Sequence, residues 1–263
     1  MTAGSGWNGD ALAARLGVRV VVHGAIGSTM DAAACDPEPP PAVHVAERQL
    51  AGRGRAGRPW ASPPGNLYAT IAWPDPAREL PPGVLAAIQV AWAEAIELAG
   101  GPRVRCKWPN DGVLAGRKWA GVMAVREGET LLIGLGANLV ALPDDPTIAA
   151  AALRPHWCGW PGRHEAGALL LGAATALLEG GGMAVRGHLS RWPDHDLWRP
   201  GVPLAIESAG RRREGLYAGT TLEGLLRLET EDGSETFAGG EAIRIRARSP
   251  DPLPAPDPDR SRG

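Results

Sequence analysis

Between Pro82 and Gly100 the apolar residues Val84, Leu85, Ile88, Trp92, Ala95 and Ile96 recur at helical spacing, with prolines before them and glycines after. This helix constrains the fold most because the segments on both sides of it have a different period. Val18–Gly24, Val43–Gln49 and Leu67–Trp73 precede it as β-branched or alternating runs. Val104–Trp108, Trp119–Val125 and Thr130–Leu139 follow it, the last two joined by the polar turn Arg126–Glu129. Ser28 after Gly27 reads as the cap of a short helix, and two further helical stretches are expected at about His164–Leu178 and Met183–Trp192. Strands and helices alternating this way predict an α+β fold in which a central mixed sheet is flanked by helices.

Beyond Trp198 the pattern changes to short alternating segments divided by glycine, beginning with Val202–Ser208 and ending with Ala242–Ser249, which predicts a small all-β barrel. A domain boundary is therefore expected near Arg199, giving residues 1–198, 199–248 and a proline- and charge-rich tail, 249–263, that is expected to be disordered.

Charge narrows the function classes. The chain carries 27 basic and 29 acidic residues for a formal charge of −2, so no broad field holds a nucleic acid or an anionic membrane. Cys35, Cys106 and Cys158 form no CxxC pair and are odd in number, which argues against a disulfide framework or a thiolate zinc site. No stretch approaches the roughly 20 apolar residues that span a bilayer, and the first residues lack the texture of an export signal, so a cytoplasmic location is expected. Only two of the basic residues are lysines, Lys107 and Lys118, and they lie within twelve positions of each other.

Three segments carry candidate chemistry. Ala51–Trp60 interleaves Gly52, Gly54 and Gly57 with Arg53, Arg55 and Arg58; glycine lets backbone amides approach an anion, and arginine supplies forked donors for phosphate or carboxylate. Alone, this is also the composition of a solvated loop or an RGG-like RNA-binding segment. Lys107–Gly121 crowds both lysines, Asn110 and Asp111 around a strand, a proline turn and a second strand. Ile133–Leu139 places Gly134 and Gly136 inside an apolar strand, where glycine costs stability unless another group needs the space.

In this order the segments GRGRAGR, KWPND, Lys118–Gly121 (KWAG) and Gly134–Asn138 (GLGAN) resemble the biotin–protein ligase family, over about Ser28 to Arg248. The resemblance implies a catalytic domain related to the class II aminoacyl-tRNA synthetase core, plus a C-terminal SH3-like barrel. It implies ATP-dependent formation of biotinyl-5′-AMP and transfer of the biotinyl group to a lysine of a biotin carboxyl carrier protein. Lys118, Arg53, Arg55 and Asp111 would be catalytic: fixed cations stabilise charge at the α-phosphate, and Asp111 orients the incoming amine. Ser28, Thr29, Gln49, Arg53, Arg55, Lys118, Gly134 and Gly136 would bind biotin, the first three through its ureido ring. Arg55, Arg58, Trp60, Lys107, Asn110, Lys118 and Asn138 would bind ATP or the adenylate, with Trp60 stacking on adenine. Mg²⁺ arrives with ATP and takes few protein ligands, so no metal residues are named.

Met30 stands where the family usually has asparagine after Ser-Thr. Ala238–Ala242 is a loose match to the family's glycine–glutamate ending. Only 27 residues precede Ser28, too few for the helix-turn-helix domain of repressor members, so a monofunctional form is expected, monomeric or a weak homodimer. A lipoate–protein ligase shares the chemistry but not the GRGRxGR loop. A nucleic-acid-binding protein built on the Arg-Gly loop would need a basic face and a stacking platform, and the Walker motif GxxxxGK[ST] is absent.

Overall fold

A computed structural model of the chain describes residues 6–208, 211–239 and 244–247. The expected disordered tail, most of Ala238–Ala242 and both ends of the Ala242–Ser249 segment lie outside the described residues.

The first helix, α1 (Gly9–Leu16), was not foreseen. Asn8 caps it, its side chain accepting from the Ala11 amide at 3.0 Å, and Gly17 ends it at φ 68°, a left-handed turn that glycine adopts without penalty. There follow β1 (Arg19–Ile26), α2 (Thr29–Ala34), β2 (Ala42–Gln49), β3 (Leu67–Pro74), α3 (Val84–Leu98), β4 (Arg105–Lys107), β5 (Asp111–Leu114), β6 (Arg117–Glu127) and β7 (Thr130–Ala137). The strands form one seven-stranded sheet in the order β1-β2-β3-β7-β6-β5-β4. Only β1 and β2 are parallel, joined through α2; the remaining pairs are antiparallel, so the sheet is mixed, as expected.

One face of the sheet is packed by α3 and by α4 (Arg163–Glu179). The helical repeat of α3 puts Ile88, Trp92 and Ile96 in full burial, and the Trp92 indole N–H donates to Leu170 of α4 at 2.7 Å, which pairs the only polar atom of that side chain. The packing is close enough to dictate a glycine. A Cβ at Gly112 of β5 would stand 2.6 Å from Trp119 Nε1 and 2.9 Å from Gln89 Oε1.

After α5 (Gly181–Ser190) and α6 (Trp192–His195), the chain builds a second, antiparallel sheet from β8 (Pro203–Ser208), β9 (Arg211–Thr220), β10 (Leu226–Thr230), β11 (Gly233–Phe237) and β12 (Arg244–Ala247), in the order β11-β10-β9-β8-β12. Its buried residues Leu204, Ile206, Tyr217, Leu226 and Leu228 belong to the same apolar cluster as Trp108, Trp119 and Trp192 of the larger part. Among the described residues no single helix is long and apolar enough to cross a membrane; α4 and α5 reach that length only together and are bent by 118°.

Candidate active site

The free face of the large sheet carries the site, and strand register assembles it. Tyr68, Gly136, Gly121 and Asp111 stand side by side across β3, β7, β6 and β5, with Lys107 next on β4. Two residues along, Thr70, Gly134 and Met123 form a second row. Positions i and i+2 of a strand share a face, so both rows point to the same side.

The first row is a floor of glycine. A Cβ at Gly136 would lie 2.8 Å from Trp60 Cε2, and one at Gly121 would lie 3.3 Å from Trp60 Cζ3, so the indole rests across both. Lys118 Nζ sits 5.1 Å from the centre of that ring and 2.6 Å from Asp111 Oδ1, an ammonium held between an aromatic face and a carboxylate. Its backbone is clamped as well: Ala149 accepts from the Lys118 amide at 3.3 Å, and the Ala151 amide donates to the Lys118 carbonyl at 2.9 Å.

The arginine–glycine segment connects β2 to β3 and folds over this floor. Arg55 is buried, and its guanidinium donates to Asn110 Oδ1 at 2.7 Å. Asn110 is fixed in turn, its Nδ2 donating to the Val122 carbonyl at 2.7 Å and its own carbonyl accepting from Gln89 Nε2 at 3.0 Å. Arg53 pairs with Asp31 on α2, and Arg58 Nε donates to the Arg55 carbonyl at 3.3 Å; both arginines are exposed.

At the other end of the floor, the N-terminus of α2 meets the end of β2. Ser28 caps the helix, its hydroxyl accepting from the Met30 amide at 3.2 Å. The Thr29 amide donates to Gln49 Oε1 at 2.9 Å and the Thr29 hydroxyl lies 3.1 Å from the same oxygen. Beside them Met30 fills the space above Gly134: a Cβ there would be 2.8 Å from Met30 Cε and 3.1 Å from Met123 Cγ.

Comparison with known proteins finds similarity over the span that builds this site. The model of the biotin/lipoate A/B protein ligase family matches residues 28–138, the span that holds the glycine floor, Lys118, Asp111 and the arginine–glycine segment. Over that span the chain is similar to this family. It is 34% identical over 220 residues to the bifunctional ligase/repressor BirA of Escherichia coli, covering 75% of this chain and 64% of that protein. It is 36% identical over 124 residues to the biotin–[acetyl-CoA-carboxylase] ligase of Paracoccus denitrificans, covering 42% of this chain and 50% of that protein. The chain thus spans about half to two thirds of the length of these curated relatives. In fold it resembles the biotin protein ligase of Aquifex aeolicus solved with biotin and ATP, with a TM-score of 0.77, 22% identity, and 87% of this chain and 98% of that chain covered.

The residues singled out from the sequence do not all converge in the structure. Lys118, Asp111, Trp60, Arg55, Asn110, Gly121 and Gly136 are brought together. Lys107 lies beside Asp111 in register, but its ammonium is 5.9 Å from the Trp198 ring, toward the second sheet. Asn138 is buried at the end of β7, its amide donating to the Trp119 carbonyl at 2.7 Å. Asn110 was expected to bind ATP or the adenylate; in the structure its amide oxygen and nitrogen are engaged by Arg55 and Val122. The space expected to open over Gly134 and Gly136 for a ligand is filled by this chain's own Met30 and Trp60 side chains, because each glycine lacks the Cβ that would exclude them. Sequence reasoning missed Thr70 and Ser62, which hydrogen-bond to the Thr29–Gln49 pair. Neither stands in a motif, and no local pattern marks them. Among the described residues no group of three His, Cys, Asp or Glu side chains could hold a metal ion.

Proposed function

We propose that this protein is an ATP-dependent biotin–protein ligase. One observation carries the reading: the Lys118 ammonium is fixed between Asp111 and the Trp60 face, above two glycines, with the buried Arg55 guanidinium held nearby by Asn110. In the first step a carboxylate oxygen of biotin attacks the α-phosphorus of ATP, which enters as its Mg²⁺ complex. The bond to pyrophosphate breaks and biotinyl-5′-AMP forms. Negative charge gathers on the α-phosphate oxygens, and Lys118 would stabilise it, with Arg53 and Arg55 closing from the arginine–glycine segment. In the second step the amine of a carrier-protein lysine attacks the biotinyl carbonyl and AMP departs. Asp111, freed of Lys118 once that ammonium turns to phosphate, accepts a hydrogen bond from the amine and orients it.

The polar pocket of Ser28, Thr29 and Gln49 suits the ureido ring, whose donors and acceptor all need partners when buried. Trp60 gives adenine a flat apolar face, and Asn138 supplies a polar edge beside it. The substrate lysine belongs to a biotin carboxyl carrier domain, consistent with the names of the ligases that this chain resembles. Residues 1–198 are assigned as the catalytic domain and 199–248 as an SH3-like barrel that assists ATP use or carrier docking. The test is exchange of labelled pyrophosphate into ATP. Exchange that depends on biotin is expected; exchange driven by lipoate or octanoate, or none from either acid in folded protein, would overturn the assignment.

A further inference from the structure

The Thr29–Gln49 contact is one link of a longer chain of hydrogen bonds whose direction the geometry determines. A backbone N–H can only donate, so the Gln49 atom 2.9 Å from the Thr29 amide is the carbonyl oxygen, and the Gln49 side chain is not flipped. The Thr29 hydroxyl, 3.1 Å from that oxygen, must then donate to it as well. Having spent its proton, it accepts from the hydroxyl of Thr70, 2.9 Å away and fully buried on β3. On the far side Gln49 Nε2 points to the Ser62 hydroxyl at 3.4 Å, and Ser62 donates to the Trp60 carbonyl at 3.0 Å. The run is therefore Thr70 to Thr29 to Gln49 to Ser62 to the Trp60 backbone, every donor pointing the same way.

The first glycine of the arginine–glycine segment is shaped around this chain. A Cβ at Gly52 would stand 2.7 Å from the Trp60 carbonyl oxygen, 2.9 Å from Ser62 Oγ and 3.0 Å from Gln49 Nε2. The Gly52 carbonyl also accepts from the Trp60 amide at 2.8 Å. Gly52 is thus required where the relay crosses the loop, a reason distinct from close approach to an anion.

We propose that Thr70 and Ser62 are positioning residues, which turn the Gln49 amide so that its donor side faces the acyl substrate and tie that choice to the seat of Trp60. Both hydroxyl protons upstream of Gln49 and the Gln49 oxygen are engaged within the relay, so what Gln49 offers a ligand is its second amide N–H. Gln49 then recognises a carbonyl oxygen, the urea oxygen of the bicyclic acid. This rests on the ligase reading above for the identity of the acid, but the relay itself is independent of it.

The test separates the two. The chain has only two glutamines, Gln49 and Gln89, so protein labelled with ¹⁵N in glutamine side chains gives two amide pairs, assigned with Gln49→Met. Thr70→Val keeps the shape of the side chain and removes its proton. In ligand-free protein it should shift and broaden the Gln49 pair, leave the Gln89 pair in place, and be reversed by Thr70→Ser. In pyrophosphate exchange the same variant should raise the KM for biotin roughly tenfold, the worth of one buried hydrogen bond, with kcat within about twofold. Ser62→Ala should move the KM for ATP as well, because it releases the Trp60 backbone. An unmoved Gln49 resonance in Thr70→Val, or no rescue by serine, would overturn the relay. A moved resonance with no biotin-dependent exchange in the parent protein would leave the relay standing and sink the ligase reading.

Discussion

Lys118 and Arg55 are both cations on the glycine floor, yet their surroundings assign them different work. Lys118 is a third exposed and paired with one carboxylate, an arrangement that contributes about 1 kcal/mol or less to stability. Lys118→Ala should therefore keep its melting temperature within a few degrees while losing pyrophosphate exchange by a hundredfold or more, as expected for a charge that acts on the transition state. Arg55 is buried and anchored by Asn110, so its loss also frees the segment that covers the site. Arg55→Ala should still form adenylate but release it roughly tenfold to a hundredfold faster, the equivalent of one charge-assisted hydrogen bond. Rapid dilution followed by chromatography measures that release. Full exchange in Lys118→Ala, or unchanged adenylate retention in Arg55→Ala, would show that the two roles are misassigned. These residues were legible in the sequence because glycine, arginine and lysine were concentrated in short ordered runs. Thr70 and Ser62 were not, since a single hydroxyl in an apolar strand becomes meaningful only when folding brings it to a partner, for Thr70 one 41 residues earlier in the chain.

At the scale of elements, period decided what could be read. The apolar repeat of α3 and the alternation in β6 and β7 were visible and fell within a few residues of their observed ends, whereas α1 is only eight residues in a glycine-rich stretch. Its signals, Asn8 before and Gly17 after, were present but flanked too short a run to be separated from loop. The junction between α6 and the second sheet was equally hidden. There Asp196 is buried, accepting from the Tyr217 hydroxyl and, at 3.1 Å, from the Trp198 amide. Burial raises its carboxyl from 3.8 to about 6 against the opposing pull of those donors. A carboxyl raised on folding holds a proton that the unfolded chain has lost, so between about pH 4 and 6 stability falls as pH rises. The contribution is fully present below 3.8 and gone above about 6. Asp196→Asn, which mimics the neutral acid, should flatten this part of the melting-temperature profile and melt higher than the parent at pH 8. An unaltered slope from pH 4 to 6 would mean that Asp196 is ionised throughout.

For the whole molecule, the question is whether the two sheets are separable bodies. The change of texture at Trp198 suggested a boundary, and among the described residues no strand is shared between the two sheets. Packing says otherwise. The Trp108 indole donates to the Gly224 carbonyl at 2.8 Å, Trp192 Nε1 lies 3.3 Å from the Tyr217 hydroxyl, and Gly83 meets the 223–224 turn so closely that a Cβ would be 2.7 Å from Gly224 Cα. Trp108 and Trp192 are almost fully buried, and uncovering either forfeits on the order of 2–3 kcal/mol. Two such losses are a large share of the 5–15 kcal/mol that holds an ordinary domain together, so neither part should persist alone once the other has unfolded. The intact protein is therefore expected to melt in one transition, with far-ultraviolet circular dichroism and tryptophan fluorescence coinciding and calorimetric and van't Hoff enthalpies agreeing. Deleting residues 200–263 should lower stability sharply and expose apolar surface to a hydrophobic dye, so that loss of ATP use in that variant would report damage to the fold as much as a role for the second sheet. Two resolved transitions in the intact chain, or a truncated protein that melts at the parent temperature, would show that the shared tryptophan core is only a contact between independent domains.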